Sequence, residues 1–254
     1  MNKPYASLQK RLLWLSGTIF FFVTTCTTSF AQIWVGPKIG LQLAKAVPDE
    51  QERLYGEKYT SSYQPGYTFG LDANYEVNRI FSLETGLLYS RKGKNITQQE
   101  SPYQQNTATY HHIDLPLLLR TTFGRRYTQW YLNAGANVSY WLSGKGRFQA
   151  NGVATDYRIR FSPDVSQSGD VYLPNANRLQ FGLDFGGGII FRVGRYERLS
   201  VDVKYTLGQT DLSQSATLAD ALRYFDRFRT TIHVVSISAA YQFKIDYGPK
   251  KKKK

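Results

Sequence analysis

Residues 199–208 read Leu-Ser-Val-Asp-Val-Lys-Tyr-Thr-Leu-Gly, and their alternation decides the fold. Side chains change face at every residue of an extended strand. Leu199, Val201, Val203, Tyr205 and Leu207 therefore share one face, while Ser200, Asp202, Lys204, Thr206 and Gly208 share the other. A Val/Leu/Tyr face backed by one carrying Asp and Lys suits a wall with lipid outside and a polar interior. The same pattern recurs from about Val35 to Phe243.

Working outward from this segment, the alternation predicts eight strands: Ile33 to Ala44, Tyr67 to Val77, Ile80 to Gly93, Tyr110 to Phe123, Gln129 to Gly144, Arg178 to Val193, Leu199 to Gln209 and Thr230 to Lys244. An even number lets an antiparallel sheet close on itself. The connections alternate without exception between short (Asn78-Arg79, Gly124 to Thr128, Gly194 to Arg198) and long (Lys45 to Gly66, Lys94 to Thr109, Lys145 to Asn177, Thr210 to Arg229). In transmembrane barrels the periplasmic turns are short and the extracellular loops long. The expected fold is all-β: an eight-stranded, antiparallel, up-and-down transmembrane barrel of the cell outer membrane.

Residue size assigns the faces. The fifth strand carries Asn133, Gly135, Asn137 and Ser139 on one side, the sixth Gln180, Gly182, Asp184, Gly186 and Gly188. Small and polar side chains fit the narrow interior of an eight-stranded barrel. Lys38, Asp72, Glu76, Glu84, Asp114, Arg120, Asp184, Arg192, Asp202 and Lys204 fall at inward positions. Both signs are present, so interior ion pairs are expected to fill the lumen and exclude a general diffusion pore. Aromatics near strand ends mark the lipid boundaries: Tyr75, Phe81, Trp130, Phe191, Tyr241 and Phe243 inside, Tyr67, Tyr89 and Tyr140 outside. A soluble barrel would instead require the apolar faces to turn inward and leave Gly, Asn and Ser as its wet exterior.

Residues 1–31 read as a cleaved signal peptide: Lys3, Lys10 and Arg11, then an apolar stretch from Leu12 to Val23, then Ser29-Phe30-Ala31 before the cleavage point. Cys26 is the only cysteine and leaves with that segment; Thr24-Thr25 is a poor lipobox for acylating it. The barrel is expected over 32–244, followed by a basic periplasmic tail, 245–254. Of the formal charge of +13, five positive charges belong to the run Lys250 to Lys254, most simply a solvated tail. No stacking aromatics interleave with Arg in an RNA-binding motif, so nucleic acid is not an expected partner.

Three segments, 36–41 (Gly-Pro-Lys-Ile-Gly-Leu), 82–93 (Ser-Leu-Glu-Thr-Gly-Leu-Leu-Tyr-Ser-Arg-Lys-Gly) and 113–120 (Ile-Asp-Leu-Pro-Leu-Leu-Leu-Arg), together with the closing Tyr241-Gln242-Phe243, resemble the PorT-like outer-membrane β-barrel proteins common in Bacteroidetes. The resemblance covers nearly all of the expected mature chain. It implies a barrel whose last strand is read by the barrel-assembly machinery and, for the name-giving members, an accessory role in type IX secretion. Pro116 removes a ladder hydrogen bond inside a central strand, and a local bulge is expected there.

Chemistry is sparse. His111 and His112 sit with Asp114 near the outer end of the fourth strand, but the two histidines point to opposite faces and cannot chelate together. His233 stands alone, and Ser213 and Ser215 lie in the fourth loop without a partner base. No catalytic residue, metal site or cofactor is expected, and a lipid A-modifying activity finds no nucleophile. Asn95-Ile96-Thr97 is an uninformative sequon, and Gly186-Gly187-Gly188 lies in a strand rather than in a phosphate loop. Binding is expected from the outward loops. Loop three offers Asp156, Tyr157, Arg158, Arg160, Phe161, Asp164 and Asp170; loop four offers Leu218, Leu222 and Phe225 at helical spacing. The expected partners are outer-membrane lipid and lipopolysaccharide, envelope or secretion proteins and the assembly machinery, met by a monomer.

Overall fold

The computed structural model describes residues 32–48, 59–98, 104–125, 127–150, 152–162, 169–173, 176–213 and 230–245. The signal segment, the Lys run, Asp164, Ser215 and the Leu218, Leu222 and Phe225 set lie outside the described residues. The strands are β1 (Gln32–Pro48), β2 (Tyr59–Ser62), β3 (Gln64–Glu76), β4 (Phe81–Gln98), β5 (Gln104–Arg125), β6 (Thr128–Ala150), β7 (Val153–Arg160), β8 (Asp170–Tyr172), β9 (Leu179–Arg192), β10 (Glu197–Gly208) and β11 (Thr230–Ile245). Ile245, expected in the tail, still belongs to the last strand.

Eight of these strands, β1, β3, β4, β5, β6, β9, β10 and β11, form a closed antiparallel ring, sealed where β1 pairs β11 from Ile33↔Ile245 to Pro48↔Thr230. The short turns are as expected: the Asn78 side-chain oxygen accepts from the backbone N–H of Ile80 (2.8 Å) and of Phe81 (2.7 Å), an Asx turn that reverses the chain in place.

Burial alternates as the sequence predicts. On β1 the outward Ile39 and Leu41 are 67% and 69% exposed, while Lys38 and Gln42 on either side of them are buried. Such a ring of bare apolar side chains far exceeds the patches that soluble proteins leave in water. From Ile33 to Leu43 the lipid-facing side of β1 is apolar for eleven residues, the 9–11 or so that a tilted strand needs to cross a bilayer. Phe123 and Tyr196 join the inner aromatic boundary.

Two features depart from expectation. Pro116 causes no bulge: β5 keeps its register with β6 (Pro116↔Asn137) and with β4 on either side (Leu117↔Thr85, Asp114↔Leu88), and only the ladder pairs between are missing. A proline lacks the N–H but need not shift the chain; Pro37 interrupts the β1–β11 ladder in the same way. The bulge lies instead at Leu142, skipped where His112↔Trp141 is followed by His111↔Ser143. The second departure is that two of the long loops are largely strand. β4, β5 and β6 continue past the membrane band, β2 adds to β4, β7 adds to β6 and β8 adds in parallel to β7, raising a sheet above one side of the barrel.

Candidate functional site

The lumen holds three tiers. The lowest and middle are polar, and all eight wall strands contribute to them. Lys38 (β1) places its Nζ 3.1 Å from Glu84 Oε1 (β4), 2.9 Å from Asp202 Oδ2 (β10) and 3.7 Å from Asp72 Oδ1 (β3). The second oxygen of Glu84 accepts from Arg120 Nη2 (β5, 2.7 Å) and Asn133 Nδ2 (β6, 2.9 Å). Asp202 further accepts from the Tyr131 hydroxyl (3.1 Å) and the Ser238 hydroxyl (2.5 Å). Below them Gln242 donates to Asp72, and Arg198 bonds Gln242 (2.6 Å) and Glu76 (2.5 Å) while stacking over Trp34. Lys204 pairs with Asp184 at 2.8 Å. Higher up, Lys92 meets Asp114 at 2.8 Å, and Ser90 and Ser139 each donate to the same carboxylate at 2.5 Å.

Every carboxylate in this stack has a cation or several donors, which is the condition for keeping charge out of bulk water. Glycines make the space: a Cβ on Gly188 would come within 2.8 Å of the Tyr131 ring, which lies across the lumen above it. Of the inward charges expected from sequence, Lys38, Asp72, Glu84, Asp114, Arg120, Asp184, Asp202 and Lys204 are buried. Glu76 is half-buried at the inner mouth, and Arg192 is exposed there because its strand ends at that residue. Lys92, Lys94 and Arg198 are inside beyond the expected set: the first two follow the inward parity of Ser90, and Arg198 is the second residue of β10 rather than the end of a turn.

The third tier is apolar. Tyr110, Trp141, Tyr157, Ile159, Leu173 and Leu212 are buried together at the outer end of the lumen. Trp141 meets Tyr110 edge-on at 5.1 Å and Phe161 at 4.9 Å, and stacks on His112. The Leu212 N–H donates to Thr230 (3.1 Å), and Leu212 in turn accepts from Asn177, which ties the bases of loops three and four across the opening. Tyr157 and Phe161, expected among the outward contact residues, thus form the lid. A Cβ on Gly146 would collide with the Tyr157 ring.

The outward sheet carries the remaining polar residues of loop three. Arg147 pairs with Asp156 (2.6 Å) and Arg160 with Asp170 (2.9 Å), and Lys145, Arg147 and Arg158 border a cleft of about 750 Å³. The hydrogen bond from Arg147 holds the Asp156 carboxyl below its usual range. Asn95 is tied to Ser62, Gln105 and Thr107 within the sheet.

Among the described residues no His–Asp pair forms. His112 points inward and Asp114 is held by Lys92, Ser90 and Ser139, while His111 faces out and shares a hydrogen bond with the Tyr89 hydroxyl at 2.6 Å. His233 does the same with Tyr205 at 2.8 Å, and Ser213 is buried in a bridge to Ala176. Among the described residues no three metal-ligating side chains gather.

A closed eight-stranded ring, apolar outside and ion-paired within, defines an outer-membrane β-barrel protein. The chain belongs to the family described as outer membrane protein beta-barrel domain, whose model matches residues 30–214. Its site is the bacterial outer membrane. Similar solved structures include Neisserial surface protein A (13% identity, 85% of this chain and 100% of that one, TM-score 0.40). The attachment invasion locus protein Ail of Yersinia pestis (16%, 83% and 98%, 0.33) and OprG of Pseudomonas aeruginosa (13%, 84% and 96%, 0.44) are further examples. At these identities the likeness is one of fold. No curated protein matches significantly.

Proposed function

We propose that this protein is a non-conducting barrel with a structural and surface-binding role in the envelope, displaying the outward sheet around β6 and β7 on a rigid, filled scaffold. The observation that carries the reading is the double closure of the lumen, by the Lys38–Glu84–Arg120 layer and by the Trp141 lid above it. Strands rooted in such a core hold a binding surface in place without a passage beneath it. The motifs at 36–41, 82–93 and 113–120 support placing the chain in the PorT-like branch. No observed geometry favours the secretion-accessory or lipid-modifying alternatives.

Two measurements test the reading. Purified protein in planar bilayers is expected to show no stable conductance; large steady openings would overturn it. Thr155→Cys is expected to react with a membrane-impermeant maleimide on whole cells, and Arg195→Cys only after permeabilisation; the reverse would invert the barrel.

A further inference from the structure

One lipid-facing groove, of about 510 Å³, runs along the seam of the barrel between Ile39, Leu41, Tyr67, Phe69, Ile237 and Ala239. It exists because Ala239 is small where its neighbours across β1 and β11 are large, and its walls are almost wholly apolar. Its outer end is crowned by cations. Tyr67, in the groove wall, lies opposite Arg91 on β4, whose guanidinium sits 6.0 Å from the Tyr67 ring centroid. On the other side, Lys45 stands two lipid-facing positions beyond Leu41, about 13 Å along the strand, and directly opposite His233. Its ammonium lies over the Tyr63 ring at 5.4 Å. Among the described residues, both cations rest on aromatic rings and neither is ion-paired.

Cations at the first lipid-facing level beyond the apolar band lie where headgroups begin. We infer that this groove and its crown form a seat for one phosphorylated glycolipid of the outer leaflet. An acyl chain lies in the Ile39–Ala239 groove, and the phosphorylated sugar headgroup spans the roughly 13 Å along the chain from Tyr63, under Lys45, to Tyr67, under Arg91. The tyrosines Tyr63 and Tyr67 hold the two cations upright and offer rings and hydroxyls to the sugar.

The full barrel is reconstituted in phosphatidylcholine nanodiscs containing a small fraction of lipid A, and retained lipid is counted by native mass spectrometry. The wild-type barrel is expected to keep about one lipid A molecule. Phosphate-free lipid A, or the K45A/R91A double variant, should be retained at least tenfold less, and A239F, which fills the groove from the lipid side, several-fold less. Three results would each overturn the seat: retention independent of the lipid phosphates, variants that retain lipid A like wild type, or displacement by an equal fraction of phosphatidylglycerol. The phosphate comparison uses the unaltered protein, so it decides even where a variant does not assemble.

Discussion

Glu84 is the residue on which the lumen turns, because Lys38 reaches it from one side and Arg120 and Asn133 from the other. Removing one partner of a buried ionic group leaves the others charged and unmatched, which costs about 3–5 kcal/mol. Glu84→Ala is therefore expected to lower the unfolding free energy of the reconstituted barrel, read from its urea transition, by that amount, far more than removal of the exposed Arg147–Asp156 pair. That outer pair has its own signature. The Asp156 carboxyl is held down by its hydrogen bond from Arg147, so any support the pair gives is fully present above the ordinary carboxylate range. It is lost as pH falls through the lowered value. A titration followed by NMR should place Asp156 below an ordinary aspartate, and Arg147→Ala should return it upward.

At the scale of the strand, the bulge at Leu142 reconciles a straight wall with an outward sheet. Leu142 and Ser143 are both exposed, whereas Trp141 and Gly144 on either side are buried, so the extra residue restores the inward parity beyond it. Deleting Leu142 should leave a regular strand with Gly144 still inside, and assembly judged by heat-modifiable migration should survive. Deleting Val138 instead would slip Ser139 and Trp141 onto the opposite face relative to the strand below, and assembly should fail. Much of this level was legible in the alternation itself: the eight wall strands, the Asn78-Arg79 turn and the inward set from Lys38 to Lys204 all follow from a period of two. The bulge was not, since Trp141-Leu142-Ser143 carries neither Gly nor Pro to announce it. The extensions β2, β7 and β8 were hidden too, because they are short and mostly exposed: β7 buries only Tyr157 and Ile159, too few to make the sustained apolar alternation that marks a membrane strand. The lid was missed for a related reason: Leu173 and Leu212 come from separate loops and meet only once the ring has closed.

For the molecule as a whole, the two closures act in series. Trp141→Ala should cost about 3–5 kcal/mol of stability yet leave planar bilayers silent, since the Lys38–Glu84–Arg120 layer still fills the axis beneath. A combined K38A/E84A/R120A/W141A variant, which removes groups from both levels, is expected to conduct if it assembles; a conducting single W141A variant would show that the charged layer is no barrier. The ring has a temporal implication as well. Its seam joins β1 to β11, the first wall strand to the last, so no partial product of translation can shut the sheet. Until Ile245 has been delivered opposite Ile33, the growing polypeptide presents two raw hydrogen-bonding borders and a greasy flank to water. A chain cut short before β11 is therefore expected to yield no smaller closed barrel, since β1 would lack the strand that seals it.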